Sequence, residues 1–330
     1  DWRTLHWGGA MSDDLVTFGE TMLRLSPPND ERLETAREFE VRAAGAESNT
    51  AIAAERLGAV TTWMSKLPDT ALGHRVDGGL RQYGINTDVV WTDDDDVRQG
   101  TYYLESAGRP RGSNVVYDRE NAAVTTATPD ELDVDRVRNA SAFYTTGITP
   151  ALSPQLRETA ATLLDAAQQA GTMTAFDVNY RSKLWSPEEA RKTVTQFFQV
   201  VDVLIIALKD AKAILNYEGD ATQLAHHLAS EFDFKTVVVT RGDQGALAWN
   251  DNVIHEQPAF ETDTVDAVGT GDAFAGAFLA QRLAGADIQK ALRYAAATAA
   301  LKRTIPGDVA TVTKPEVDAV VNEGGEAISR

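Results

Sequence analysis

Short apolar runs of strand length alternate with segments of helical period through most of this chain, and no other feature narrows its fold as far. Residues 15–19, 172–178, 200–207 and 237–240 are the clearest strand-like runs. Residues 49–57, 153–170, 272–283 and 287–302 carry the helical pattern, several opening on Ser, Asn or Asp as N-caps. Such alternation builds a parallel sheet covered by helices. The expected fold is α/β, a doubly wound, mostly parallel sheet flanked by helices.

Two stretches break the rhythm, residues 21–44 and 98–124. In the second, Thr101-Tyr102-Tyr103-Leu104 and Asn114-Val115-Val116-Tyr117 flank Gly108, Arg109, Pro110, Arg111 and Gly112, which reads as a β-hairpin with a basic turn. Together the stretches predict a small β-sheet that projects as a lid over a cleft. Residues 15–315 are then one domain, preceded by a disordered extension (1–14, with Met11 as the natural start) and followed by a helix or tail (316–330). Asp93, Asp94, Asp95 and Asp96 read as a solvated turn.

Composition limits the partners. With 31 basic and 49 acidic residues the net charge is −18, which repels nucleic acid and anionic membranes. The absence of cysteine excludes disulfides, thiolate nucleophiles and cysteine-ligated metals. No apolar stretch approaches the ~18 residues of a membrane span, and no secretion signal is seen, so a cytoplasmic location is expected. Arginines outnumber lysines 22 to 9 and acids are spread along the whole chain, a balance suited to concentrated salt.

The segment 265–279, Val-Asp-Ala-Val-Gly-Thr-Gly-Asp-Ala-Phe-Ala-Gly-Ala-Phe-Leu, carries the chemistry. Gly269, Thr270 and Gly271 precede an apolar helix, so their N–H groups and the positive end of the helix dipole can converge on a phosphate. Asp272 at the lip of that site would hinder anion binding alone. It suits a general base that takes a proton from an attacking hydroxyl. A dinucleotide fingerprint would need glycine where Phe274 stands, and a P-loop would need lysine after the glycines.

Gly269-Thr270-Gly271-Asp272, with Asp266 upstream, resembles the second signature of the ribokinase-like (PfkB) carbohydrate kinases. Ala44-Gly45-Ala46-Glu47-Ser48-Asn49 through Arg56-Leu57-Gly58 resembles the first. Phe176-Asp177-Val178-Asn179-Tyr180-Arg181 with Leu184-Trp185, and Val116-Tyr117-Asp118-Arg119, resemble segments of 2-keto-3-deoxygluconate kinases within that family. The resemblance runs from about residue 15 to about 315. It implies a ribokinase-like fold and phosphorylation of 2-keto-3-deoxygluconate, or its galactonate epimer, at the 6-hydroxyl, with ATP and Mg2+.

By the same resemblance Asp272 is the catalytic base and the amides of Gly269, Thr270 and Gly271 form the anion hole. Gly45, Tyr102, Tyr117, Asp118, Arg119, Arg181 and Asp308 would bind the sugar acid. Guanidinium groups at 119 and 181 suit its carboxylate, since arginine grips carboxylates through paired hydrogen bonds. Asn179, Tyr180, Arg181, Thr240, Arg241, Gly242, Asp243, Gln244, Gly245 and Ala296 would line the nucleotide, together with the glycine turn and Asp272. Ala207-Leu208-Lys209-Asp210 stands where the family has Asn-x-x-Glu, so Asp210 could replace the glutamate through a water while Ala207 cannot replace an amide, and the metal ligands stay unassigned. His226 and His227, adjacent on a helix, point apart and form no shared metal site. Self-association into a homo-oligomer is expected. The alternatives are a kinase for a neutral sugar or nucleoside, and a non-catalytic sensor of the same fold.

Overall fold

The computed structural model describes residues 12–108 and 110–323. Nine strands form the main sheet: β1 (Leu15–Phe18), β4 (Thr61–Pro68), β5 (Asn86–Thr92), β8 (Ala142–Thr146), β9 (Met173–Asp177), β10 (Val203–Ala207), β11 (Thr236–Thr240), β12 (Ala246–Asn250) and β13 (Val253–Gln257). Their order is β13-β12-β11-β10-β9-β8-β1-β4-β5, with every pair parallel except β11–β12 and β12–β13 at one edge. The chain leaves β1 towards β4 on one side and returns to β8 on the other. Strand ends at such a reversal leave a crevice, the usual ligand position in open α/β sheets.

Strand periodicity assigns each side chain to a layer. Val16, Phe18, Phe143, Phe176, Leu204, Ile206, Val237 and Val239 face one core, under the helices Pro154–Ala170, Pro187–Phe197 and Ala221–Glu231. Leu15, Tyr144, Ala175, Val203, Ile205 and Val238 face the other, under Ala46–Arg56, Thr270–Leu283, Ile288–Arg303 and Lys314–Glu323. Burial on both faces is why these strands read as continuous apolar runs. The helix at Pro154 has Ser153 as N-cap on the Leu156 N–H at 3.0 Å, and Gly171 ends it in the left-handed region.

One helix begins earlier than its sequence suggests. Its first turn lies at Ala46 rather than Asn49, because extended Gly45 occupies the cap position and its carbonyl accepts from the Asn49 N–H. The Asn49 side chain is thereby free for a longer-range contact. Of residues 1–14, the first eleven lie outside the described residues, while Asp13 is buried and accepts from the Thr62 hydroxyl at 2.6 Å. Arg109 and residues 324–330 also lie outside them; the last described helix is Lys314–Glu323.

A second sheet contains β2 (Met22–Ser26), β3 (Glu40–Ala44), β6 (Thr101–Glu105) and β7 (Asn114–Asp118), ordered β3-β2-β6-β7. Residues 21–44 and 98–124 supply all four strands. β6 and β7 form an antiparallel hairpin that sets Tyr102 opposite Tyr117. Arg111, in its turn, donates to the Asp30 carbonyl at 3.0 Å.

Candidate active site

Gly269 caps the helix Thr270–Leu283 with φ 79°, and a Cβ there would run into the Asp308 carbonyl oxygen. Both constraints demand glycine. The helix starts with its Thr270 N–H directed to the Ala267 carbonyl (3.4 Å) and its Ala273 N–H to that of Gly269 (2.9 Å). Among the described residues, the amides of Gly271 and Asp272 between them have no acceptor. Gly271 is exposed, so the two orphan donors and the helix dipole form an anion site open at one side.

Asp272, in the same turn, is buried, with its Oδ2 accepting from Asn49 Nδ2 at 2.8 Å. Burial pushes its carboxyl up to about 7, and the charges of Asp308 and Glu47 push the same way, against the Asn49 hydrogen bond and the Arg181 guanidinium. A carboxylate poised near neutrality, beside unpaired amides, is equipped to take a proton from a hydroxyl attacking a phosphoryl group. Asp177, at the end of β9, is raised to about 8 by burial and by the charges of Asp272 and Asp210. Asp210 is also raised by burial and accepts from the Tyr180 N–H at 3.2 Å. Among the described residues, no group of three or more His, Asp or Glu side chains is arranged to hold a metal ion by itself.

The small sheet meets this acid-rich edge through Tyr102, whose hydroxyl donates to Asp308 Oδ2 at 2.6 Å. Arg24 on β2 pairs with Asp308 and, at 3.1 Å, with Asp266. Tyr102, Arg24 and Asp308 therefore join the strands of the small sheet to the loop beside Gly269. Arg119 is paired with Glu20, a buried carboxylate just after β1, and lies over the Tyr117 ring at 5.3 Å. Tyr117 is partly exposed, with its ring centroid 6.0 Å from that of Tyr102. Gly45 sits where a Cβ would strike the Glu20 carbonyl, so this glycine lets the helix Ala46–Arg56 approach the start of the small sheet. Arg181 is exposed after β9. Asp118, by contrast, points to solvent in a pair with Arg98, away from Tyr102, which lies opposite Tyr117 on the neighbouring strand.

The segments expected to face the nucleotide follow β9, β10 and β11. Asn179 adopts φ 38°, and its N–H donates to Asp177 Oδ1 at 3.0 Å. Thr240 ends β11, and Arg241 to Gly245 form a tight turn in which Gly242 and Gly245 have positive φ. Arg241 is held by Glu256 at 2.6 Å, while Asp243 and Gln244 are exposed. Ala296 is buried within the helix Ile288–Arg303 and offers no polar group. Ala207 closes β10. His226 and His227 are exposed, His227 pairing with Glu231 at 3.2 Å.

Sequence reasoning missed Glu20, Arg24, Lys183 and Lys302 as parts of this region. Lys183 reaches the small sheet by donating to the Val115 carbonyl at 2.8 Å. Arg24 finds its partners 242 and 284 residues away, a separation that no local pattern announces. Glu20 carried a faint signal as an acid that follows an apolar strand and a glycine.

Known proteins converge on one description. Residues 12–315 match the pfkB family carbohydrate kinase. A Haloferax volcanii 2-dehydro-3-deoxygalactonokinase is 60% identical over 320 residues, covering 97% of this chain and 100% of that protein. The Bacillus anthracis 5-dehydro-2-deoxygluconokinase is 28% identical over 294 residues, 87% of this chain and 88% of its own length. In structure, the Thermotoga maritima 2-dehydro-3-deoxygluconokinase superposes with a TM-score of 0.88 at 34% identity, covering 93% of this chain and 97% of that one.

Proposed function

The chain belongs to the pfkB family of carbohydrate kinases, and from that premise we propose that it phosphorylates a 2-keto-3-deoxy aldonic acid, of the galactonate or gluconate series, at the 6-hydroxyl with ATP. It is a sugar kinase, a transferase with an alcohol acceptor. The observation that carries the mechanism is buried Asp272 beside the unaccepted amides of Gly271 and Asp272. Asp272 takes the proton of the acceptor hydroxyl. That oxygen bonds to the γ-phosphorus as the bond to the bridging oxygen breaks, and ADP leaves with the electron pair. The two amides and the helix dipole stabilise charge on the phosphoryl oxygens.

Arg119 and Arg181 orient the acid's carboxylate, and Tyr102, Tyr117 and Gly45 line its path. Glu20 keeps the Arg119 guanidinium in place from below. Closure of the small sheet as a lid excludes water from the transfer. Magnesium arriving on ATP is bound mainly by phosphate oxygens and few protein carboxylates. Asp177 and Asp210 fit that limited role, since burial pushes both carboxyls up and a cation beside them would offset that cost. When bound, the metal neutralises phosphate charge.

The test is an ADP-release assay offering the galactonate and gluconate acids, fructose, ribose and adenosine separately. Turnover is expected with the acids alone, and Arg119→Ala is expected to raise the KM for the acid at least ~10-fold. Preference for a neutral acceptor would overturn the carboxylate assignment.

A further inference from the structure

Lys302 takes no part in the reaction described above, yet its side chain is fully buried in the last turn of the helix Ile288–Arg303. Its ammonium forms no salt bridge among the described residues. It donates instead to two main-chain carbonyls, Asp266 at 2.9 Å and Ile305 at 3.3 Å. Burying a cation without an ion pair is costly, and an apolar side chain would suit a core position better. Something other than packing keeps the charge there.

Its two acceptors mark the segments that build the anion site. Asp266 begins the turn that ends at Asp272, and Ile305 begins the return loop to Asp308. Their main chains meet repeatedly: the Val265 and Asp266 N–H groups share the Arg303 carbonyl (2.8 and 3.1 Å), the Gly307 N–H donates to Asp266 Oδ2 at 3.0 Å, and Gly269 leaves room only for the Asp308 carbonyl. The carboxylates of Asp266 and Asp308 are engaged by Arg24, and the ammonium takes the Asp266 carbonyl instead. The charged groups around it are Asp266, Asp308, Arg24 and Asp272.

We propose that Lys302 is a positioning residue for phosphoryl transfer. By clamping the carbonyls of Asp266 and Ile305 it holds the Gly271 and Asp272 amides in register with Asp308. This rests on the reading of that turn as the anion site. Asp308 keeps its own anchors in Arg24 and Tyr102, so loss of the clamp disturbs transfer more than acceptor binding.

Steady-state kinetics of the full chain carrying Lys302→Met, Lys302→Gln or Lys302→Ala test the idea. Lys302→Met is expected to lower kcat ~100-fold with the acid's KM changed less than ~3-fold, the pattern of a misplaced transition-state contact. Lys302→Gln, which keeps a donor without the charge, should fold and recover part of that loss. Methylammonium should restore Lys302→Ala ~10-fold or more, and tetramethylammonium, too large for the vacated space, should not. A kcat within ~3-fold of wild type in Lys302→Met would overturn the proposal. So would absence of amine rescue in soluble Lys302→Ala, which remains decisive if the methionine variant does not fold. Asp272→Asn run alongside separates the two levels: normal turnover there brings down the site itself, whereas an inactive Asp272→Asn with normal Lys302 variants removes only the clamp.

Discussion

Asp272 is asked to be both buried and ionised, and that conflict predicts its behaviour with pH. Its folded value of about 7 lies above the ordinary 3.8, so the free enzyme carries a proton on its base in mildly acidic solution. kcat/KM for the acid should rise ~10-fold per pH unit up to about 7 and then level. A pH–rate series that is flat between about 5 and 7 would remove Asp272 as the base. Linkage gives stability the opposite sign. Between 3.8 and about 7 the folded chain binds the proton and the unfolded chain does not, so this group costs stability as pH rises through that window. Asp272→Asn should therefore melt above wild type at about pH 8 and together with it at about pH 4. This residue was legible from sequence because a glycine turn, an acid and an apolar helix adjoin in one segment. Glu20, Arg24 and Lys302 were not, because most of their partners lie in other segments and long charged side chains look like surface residues until folding buries them. Asp118 shows the converse: it lies inside a recognisable motif, yet strand alternation turns it outward, opposite in direction to its neighbour Tyr117.

Helix-to-helix contact decides whether Asp272 meets its hydrogen-bond donor. The helices Ala46–Arg56 and Thr270–Leu283 bring Asn49 to Asp272, and they approach closely because Gly276 has no side chain. A Cβ there would strike the Thr50 carbonyl and come within 2.7 Å of Ala53 Cβ. Backbone cannot yield as a flexible side chain would, so the helices must separate. Gly276→Ala is expected to destabilise the fold by ~1–3 kcal/mol, measured by denaturant unfolding, and to lower kcat by loosening Asn49 from Asp272. A variant as stable and as fast as wild type would show that the contact is slack. In the main sheet β1, β9, β10 and β11 were readable because both-face burial writes an unbroken apolar run, and the small sheet's hairpin because its β-branched and aromatic runs flank a Gly/Pro turn. β4, β5, β8, β12 and β13, interrupted by polar residues or lying at or next to the edges, were not. Helix starts were less legible: Asn49 looks like a cap, and only tertiary structure shows that its amide is committed to Asp272.

At the scale of the whole molecule the dominant quantity is the charge of −18. Ion pairs offset it locally, as where Arg136 serves Asp13, Asp88 and Asp133 together, but most acids remain unneutralised on the surface. Their repulsion reaches ~10 Å at 0.1 M salt and ~3 Å at 1 M. Local pairs, some partly buried, are screened less than this distributed repulsion, so added salt should favour the compact state. The thermal midpoint is expected to rise by several degrees between about 0.1 M and about 2 M KCl. Screening can be told from general salting-out by removing charge. Asp93, Asp94, Asp95 and Asp96 are all exposed, and Asp94 accepts from the Asp96 N–H at 2.9 Å, a turn contact that asparagine can reproduce. Replacing the four by asparagine takes the net charge from −18 to −14 while sparing that turn. If repulsion governs stability, this variant melts above wild type in low salt and gains less from KCl, the two curves converging at high salt. Parallel curves would mean that salt acts through burial of apolar surface instead, and that the acidic surface serves solubility alone.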